Sequence, residues 1–166
     1  MKRSWIPRIV IFSICWLTSI ACDQDISSPP PLPDWNQILT SHTWQICCQT
    51  ITPAICLRND IYPKTDLLTN RPACEQDNIF IFEKNGEWRL GEGTTSCEPA
   101  KSNVIARGTW LLQGPADSLS LGLLNSEGDY YNYRVLYMDS ALMVRRYQYT
   151  LSQVAYTITE SLRSVD

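Results

Sequence analysis

Histidine is nearly absent from this 166-residue chain, where His42 stands alone. With a single histidine and no C-x-x-C pair, the usual donor sets for zinc are missing, so neither a metal nor another cofactor is expected. A glycine-rich phosphate loop, a G-x-S-x-G turn and an H-E-x-x-H motif are also lacking, which removes the common nucleotide-binding and hydrolase readings. A general base at His42 would need a nucleophile beside it, and none is in view, so a surface or capping role is expected. Glu75 and Asp77 resemble paired carboxylates only by proximity; they flank Cys74, where solvated charges are routine. The chain is not expected to be an enzyme. Basic clusters are scarce too, with 14 Lys and Arg against 17 Asp and Glu. Arg145-Arg146 is the only basic pair of note, and neighbouring strand residues point to opposite faces. Nucleic acid is therefore not expected as a partner, since phosphate contacts require clustered cations.

Long apolar runs are missing as well. The best is Ile9 to Ile20, well short of the roughly 20 residues that cross a bilayer as a helix. It follows Lys2, Arg3 and Arg8, and this arrangement has the form of a signal-peptide core. Ser19-Ile20-Ala21-Cys22 resembles the lipobox of bacterial lipoproteins, whose cysteine sulfur takes a diacylglycerol. It departs from the common pattern in having Ser19 where Leu is usual, with Leu17 two places earlier. The expectation is a leader over residues 1–21, cleaved before a lipidated Cys22. Cleavage removes three basic residues and no acidic one, leaving 11 cations against 17 anions and a net charge of −6 in place of −3. Residues 22–34 then form a tether, because Ser27-Ser28-Pro29-Pro30-Pro31-Leu32-Pro33 favours extended polyproline conformations. The resulting location is the bacterial envelope, anchored to the outer membrane through the lipid. Asp23 and Asp25 resemble surface-export signals, but the periplasmic and outer faces both stay open.

The remaining segment, 35–166, suits one domain. Trp35 to Leu39 reads as a short helical turn with Asp34 as its N-cap. From Thr43 onward Val, Ile, Thr, Tyr and Trp alternate with polar residues at period two, the signature of half-buried strands. The candidates are Thr43–Ile51, Ile79–Glu83, Glu87–Gly91, Ile105–Gln113, Ser118–Leu124, Tyr130–Met138, Leu142–Thr150 and Gln153–Thr159. Turn residues separate them, and no helix beyond a few turns is expected after residue 42. The spacing suits a meandering antiparallel barrel or sandwich.

The hairpin around Asn85-Gly86 can be placed in register. A two-residue turn would set Phe82 against Arg89 and mix polar with apolar on both faces. A three-residue loop, Lys84-Asn85-Gly86 with Gly86 left-handed, pairs Phe82 with Trp88 and Phe80 with Leu90. One face is then wholly apolar. In that register Cys74 and Cys97 lie almost opposite each other past the open end of the hairpin. In an exported chain they are expected to form a disulfide. Ile51-Thr52-Pro53-Ala54 reads as a turn that returns Cys56 to the first strand. Alternation places Trp44, Ile46 and Cys48 on one face, with Gln45, Cys47 and Gln49 on the other. Cys56 can then pair with Cys47 or with Cys48, and the sequence leaves both open.

Thr43-Trp44, then Ala73 to Asn78 running into Phe80 and Phe82, then Asn85-Gly86, Gly93 to Cys97 and Gly108-Thr109-Trp110 follow one another in a familiar order. The order resembles that of the small lipocalin-like lipoproteins of Bacteroidota, over roughly Leu39 to Thr159. The resemblance implies an all-β fold, a lipocalin-like up-and-down antiparallel β-barrel of about eight strands, with an internal cavity for a small hydrophobic ligand. Two departures stand out: Ser41-His42-Thr43-Trp44 lacks the Gly-x-Trp opener of lipocalins, and Cys47, Cys48 and Cys56 lie outside the pattern.

Trp44, Phe80, Phe82, Trp88, Trp110, Leu112, Tyr131, Tyr133, Val135, Leu142 and Val144 are the inward candidates. Of these, Trp44, Phe80, Phe82, Trp88, Trp110, Tyr131 and Tyr133 are the candidate ligand contacts, since an eight-stranded barrel is wide enough for side chains or for one small ligand. Two functions follow. A membrane-anchored carrier or sensor needs a lined cavity; a structural or protein-interaction module of the envelope needs only a filled barrel and an exposed apolar patch.

Overall fold

A computed structural model describes residues 33–56, 61–99 and 102–166. The expected leader, the expected lipidation site Cys22 and nearly all of the expected tether lie outside the described residues. Asp34 caps the first helix, α1 (Trp35–Ser41), accepting a hydrogen bond from the Gln37 amide at 3.1 Å. Nine strands follow: β1 (Thr43–Ile55), β2 (Lys64–Asp66), β3 (Ile79–Phe82), β4 (Glu87–Gly91), β5 (Val104–Gln113), β6 (Ser120–Asn125), β7 (Tyr130–Met138), β8 (Leu142–Leu151) and β9 (Val154–Ser164). A four-residue helix, α2 (Ala73–Gln76), precedes β3. Among the described residues no helix is long and apolar enough to cross a membrane.

β1 and β3 to β9 pair antiparallel in sequence order, and β1 closes on β9, giving an eight-stranded up-and-down barrel. β2 adds a short outer pairing to the far half of β1. Every pairing that closes the barrel thus lies within residues 33–166, which makes this segment structurally self-contained. The β3–β4 hairpin has the expected register, with Phe80 opposite Leu90 and Phe82 opposite Trp88. Gly86 adopts φ +87°, the left-handed conformation its loop requires. Cys74 and Cys97 are disulfide-bonded with Cα atoms 5.2 Å apart.

Three expectations about β1 are corrected. The chain does not turn at Ile51–Ala54; β1 runs on to Ile55. Pro53 lies beyond the last β9 pair and in the irregular stretch of the β2 pairing, where its missing N–H costs no ladder bond. Second, Cys48 does not face inward. The β9 register shifts between Ile46 and Cys48, and this extra residue turns both Cys47 and Cys48 outward and Gln49 inward. Third, neither expected pairing of Cys56 forms: among the described residues Cys47, Cys48 and Cys56 are all exposed free thiols.

Leu142 and Val144 also exchange places with their neighbours. Met143 and Arg145 are the inward residues of β8, both at 0% exposure, while Leu142 and Val144 are half-buried outside. An apolar alternation assigns arginine to solvent, but here a counter-charge on β9 meets it inside the barrel. β9 itself continues to Ser164, five residues past the expected end. α1 packs on one end of the barrel: its buried Leu39 joins the core, and the Leu39 carbonyl accepts the Trp44 indole N–H at 3.0 Å.

Candidate functional site in the barrel cavity

The interior divides along the strands. Nearest α1 it is filled by Trp44, Phe82, Leu121, Met138, Met143 and Leu162, all buried. Two positions along β8 and β9 from Met143 and Leu162, and five along β1 from Trp44, the inward residues become Arg145, Glu160 and Gln49. A cavity of about 290 Å³ lies at this level, near the lower limit of small-molecule sites, roughly 300–1,000 Å³. Its apolar lining comes from Phe80, Trp88, Leu90, Ala106, Leu123 and the ring of Tyr133.

Four of its polar residues form one connected chain. The Arg71 guanidinium donates from Nη2 to Gln49 Oε1 at 2.8 Å. Gln49 Nε2 donates to Glu160 Oε1 at 2.8 Å, and Arg145 Nε donates to Glu160 Oε2 at 2.7 Å. Arg145 faces Glu160 because the β8–β9 register sets them directly opposite. Both side chains are buried, so the pair is held by its own Coulomb attraction against a large desolvation cost. Two aromatic rings flank the guanidinium, Tyr133 at 4.1 Å and Phe80 at 4.7 Å from ring centre to Cζ. Tyr147 packs edge-on against Tyr133, 5.1 Å between ring centres.

Burial dominates the protonation of these groups. It pulls the Arg145 guanidinium down, but the Glu160 carboxylate, then Tyr133 and Tyr147, outweigh it and leave a net upward shift. The Tyr133 hydroxyl is pushed up to about 12 chiefly by burial, with Arg145 opposing. Tyr147 is raised by burial and then by the Glu160 charge. At neutral pH Arg145 therefore keeps its charge and both phenols stay neutral.

Arg71, Glu75 and Asn78 form the rim, and an outer groove shares these residues and Leu90 with the cavity, marking the entrance. The rim is braced. The disulfide ties α2 to the loop after β4, and Asp77 Oδ2 accepts from Thr94 Oγ1 at 2.7 Å and from the Thr95 amide at 2.8 Å. Gly93 has no room for a Cβ, which would run into the Asp77 carbonyl. Burial raises the Asp77 carboxyl, but the bonds from Thr94 and Thr95 outweigh it and the net shift is downward.

Of the seven aromatic residues expected to meet a ligand, Phe80, Trp88, Tyr131 and Tyr133 line the cavity. Tyr131 stands at the margin, 42% exposed. Trp44 and Phe82 belong to the filled end instead. Trp110 sits beside α1, its indole donating to the Glu83 carbonyl at 3.0 Å and its ring edge-on to Phe82. Sequence reasoning missed the polar members. One signal was present: a two-residue turn at Ser152-Gln153 places Arg145 opposite Glu160, two opposite charges in mid-strand. His42 lies on the outside, hydrogen-bonded to Asp166 at 3.1 Å.

Comparison with protein-family models and with curated proteins finds no match.

Proposed function

We propose that this chain is a lipid-anchored protein of the bacterial envelope whose barrel holds one small, mainly apolar molecule, as a carrier or a sensor. The observation that carries the reading is the cavity of about 290 Å³ at the end of the barrel away from α1. A barrel serving only as a scaffold gains nothing from that space, since unfilled volume forfeits dispersion contacts and costs stability. The lining suits a ligand of mixed character: aromatic and aliphatic walls offer area, and a few convergent polar groups fix orientation. The braced rim keeps the entrance in shape without a ligand present. Support for the anchor comes from the N-terminal pattern alone, namely the short apolar run and Cys22. An envelope partner protein is compatible with this reading, for a sensor must report to something.

Native mass spectrometry on residues 33–166, secreted through an oxidising compartment, tests the cavity. The expected result is a bound small molecule released on unfolding, or enhanced emission of the uncharged dye Nile red. A clean ligand-free mass together with no Nile red response would overturn the carrier reading in favour of an envelope interaction module. The anchor is tested separately: Cys22→Ser should abolish incorporation of a labelled fatty acid into the full chain in a bacterial host.

A further inference from the structure

Arg145 has five N–H donors in one plane. Only Nε is engaged, by Glu160, and Nη1 and Nη2 are buried without an acceptor among the described residues. The acceptors hydrogen-bonded around it have other partners, while Asn78 Oδ1, on the rim of the same cavity, is a buried acceptor without a partner among the described residues. Glu160 uses Oε2 on Arg145 Nε and Oε1 on Gln49, and the Gln49 carbonyl oxygen takes Arg71. Phe80 and Tyr133 lie close against the guanidinium, which offsets part of its charge without supplying an oxygen or nitrogen acceptor to Nη1 or Nη2. A buried donor without an acceptor is costly, and a charged one more so. The residue at fault lines the cavity, at 0% exposure.

Resting on the carrier reading above, we infer that the ligand is an amphipathic carboxylic acid, bound as its carboxylate on the Nη1–Nη2 edge of Arg145 with its apolar body against Phe80, Trp88 and Leu123. A carboxylate matches that edge because its two oxygens meet two parallel N–H groups. The guanidinium then lies between two carboxylates, Glu160 at Nε and the ligand at the fork, with the Phe80 and Tyr133 rings beside it. Glu160 holds Arg145 in orientation through Nε, Gln49 holds Glu160, and Arg71 holds Gln49. The small volume limits the apolar body to a short or medium chain or a single ring. A bulkier, more highly charged phosphate would bring a second negative charge to a site with one free cationic edge.

The test uses residues 33–166 and measures binding of hexanoate, octanoate and decanoate, each beside the alcohol of the same chain length. In the native protein the best acid should bind at least about tenfold tighter than its alcohol, the scale of a charge-assisted bidentate contact. The double variant Arg145→Met/Glu160→Gln removes both charges and leaves neither buried alone; there the acid should lose its advantage. Carboxyl-labelled octanoate, followed by NMR on the native protein, should stay deprotonated when bound to a lower pH than when free. Equal binding of acid and alcohol to the native protein would overturn the carboxylate inference while leaving the apolar carrier in place. An acid preference that persists in the double variant would overturn Arg145 as its source. Failure of every acid and alcohol to bind would overturn both readings.

Discussion

At the α1 end of the barrel, Trp44, Phe82, Met143 and Leu162 fill the interior with apolar side chains; two positions along β8 and β9 from Met143 and Leu162, the interior holds Arg145 and Glu160. The same strands and the same alternation build both ends. What differs is the problem each must solve. The filled end needs complementary volumes, and it turns its two indole donors, at Trp44 and Trp110, onto backbone carbonyls. At the cavity end the Trp88 indole likewise donates to a backbone carbonyl, that of Leu124 at 3.3 Å, but the charged groups lean on side chains, from Arg71 through Gln49 and Glu160 to Arg145. Stability and binding are thereby separated along one axis, and substitutions at the two ends should have different consequences.

The largest contrast is expected from truncation. Trp44→Ala removes a fully buried indole from close-packed surroundings and should cost about 3–5 kcal/mol, read from the urea midpoint of residues 33–166. Leu90→Ala enlarges a space that already exists, beside a partly buried side chain, and should cost no more than about 2 kcal/mol. Equal losses would break the comparison, because they would mean that the cavity end is packed as tightly as the other.

Reduction of the Cys74–Cys97 disulfide should rank next. The bond spans 23 positions in sequence, for which the chain-entropy argument gives roughly 3 kcal/mol. Both sulfurs lie at the rim, so hydrogen exchange should rise first over residues 71–78 and 92–99, with α1 and β1 near Trp44 keeping their protection. Uniform loss of protection at both ends would show that the barrel opens as one unit.

These contrasts follow the parts of the molecule that were readable from residue order. The eight barrel strands, though not β2 or the far ends of β1 and β9, the β3–β4 register, the disulfide and the capped first helix were legible because each depends on local chemistry: period-two alternation, a left-handed glycine, an aspartate before a helix. The apolar wall from Phe80, Trp88 and Tyr133 was legible for the same reason. The polar half of the site was not. An arginine in mid-strand counts as outward in any alternation argument, and only the pairing of β8 with β9 reveals that Glu160 awaits it. That pairing is set by Ser152 and Gln153, both at positive φ (48° and 69°), where asparagine and glycine are the usual guides. The β1 bulge hid Gln49 in the same way, since one unpaired residue inverts every later assignment on that strand.

The smallest expected effect separates the two ends by pH. The Tyr133 hydroxyl is pushed up to about 12, first by burial, then by the Glu160 charge and Tyr131, against the pull of Arg145. In the unfolded chain a tyrosine titrates near 10. Between these values the folded state holds a proton that the unfolded state has lost, so stability must fall as pH rises. The contribution is fully present below about 10 and is gone once pH has passed through about 12, on the order of 2 kcal/mol. Tyr133→Phe keeps the ring over Arg145 and deletes the titrating group, so its urea midpoint should decline less steeply over that range. Tyr147 shifts in the same direction, and some slope should therefore remain. Trp44 and Phe82 carry no such group, and the filled end adds nothing to the difference. Parallel slopes for Tyr133→Phe and the native chain would mean that the phenol is already solvated. The cavity would then be wet where Tyr133 lines it, and a carboxylate there would compete with water for Arg145.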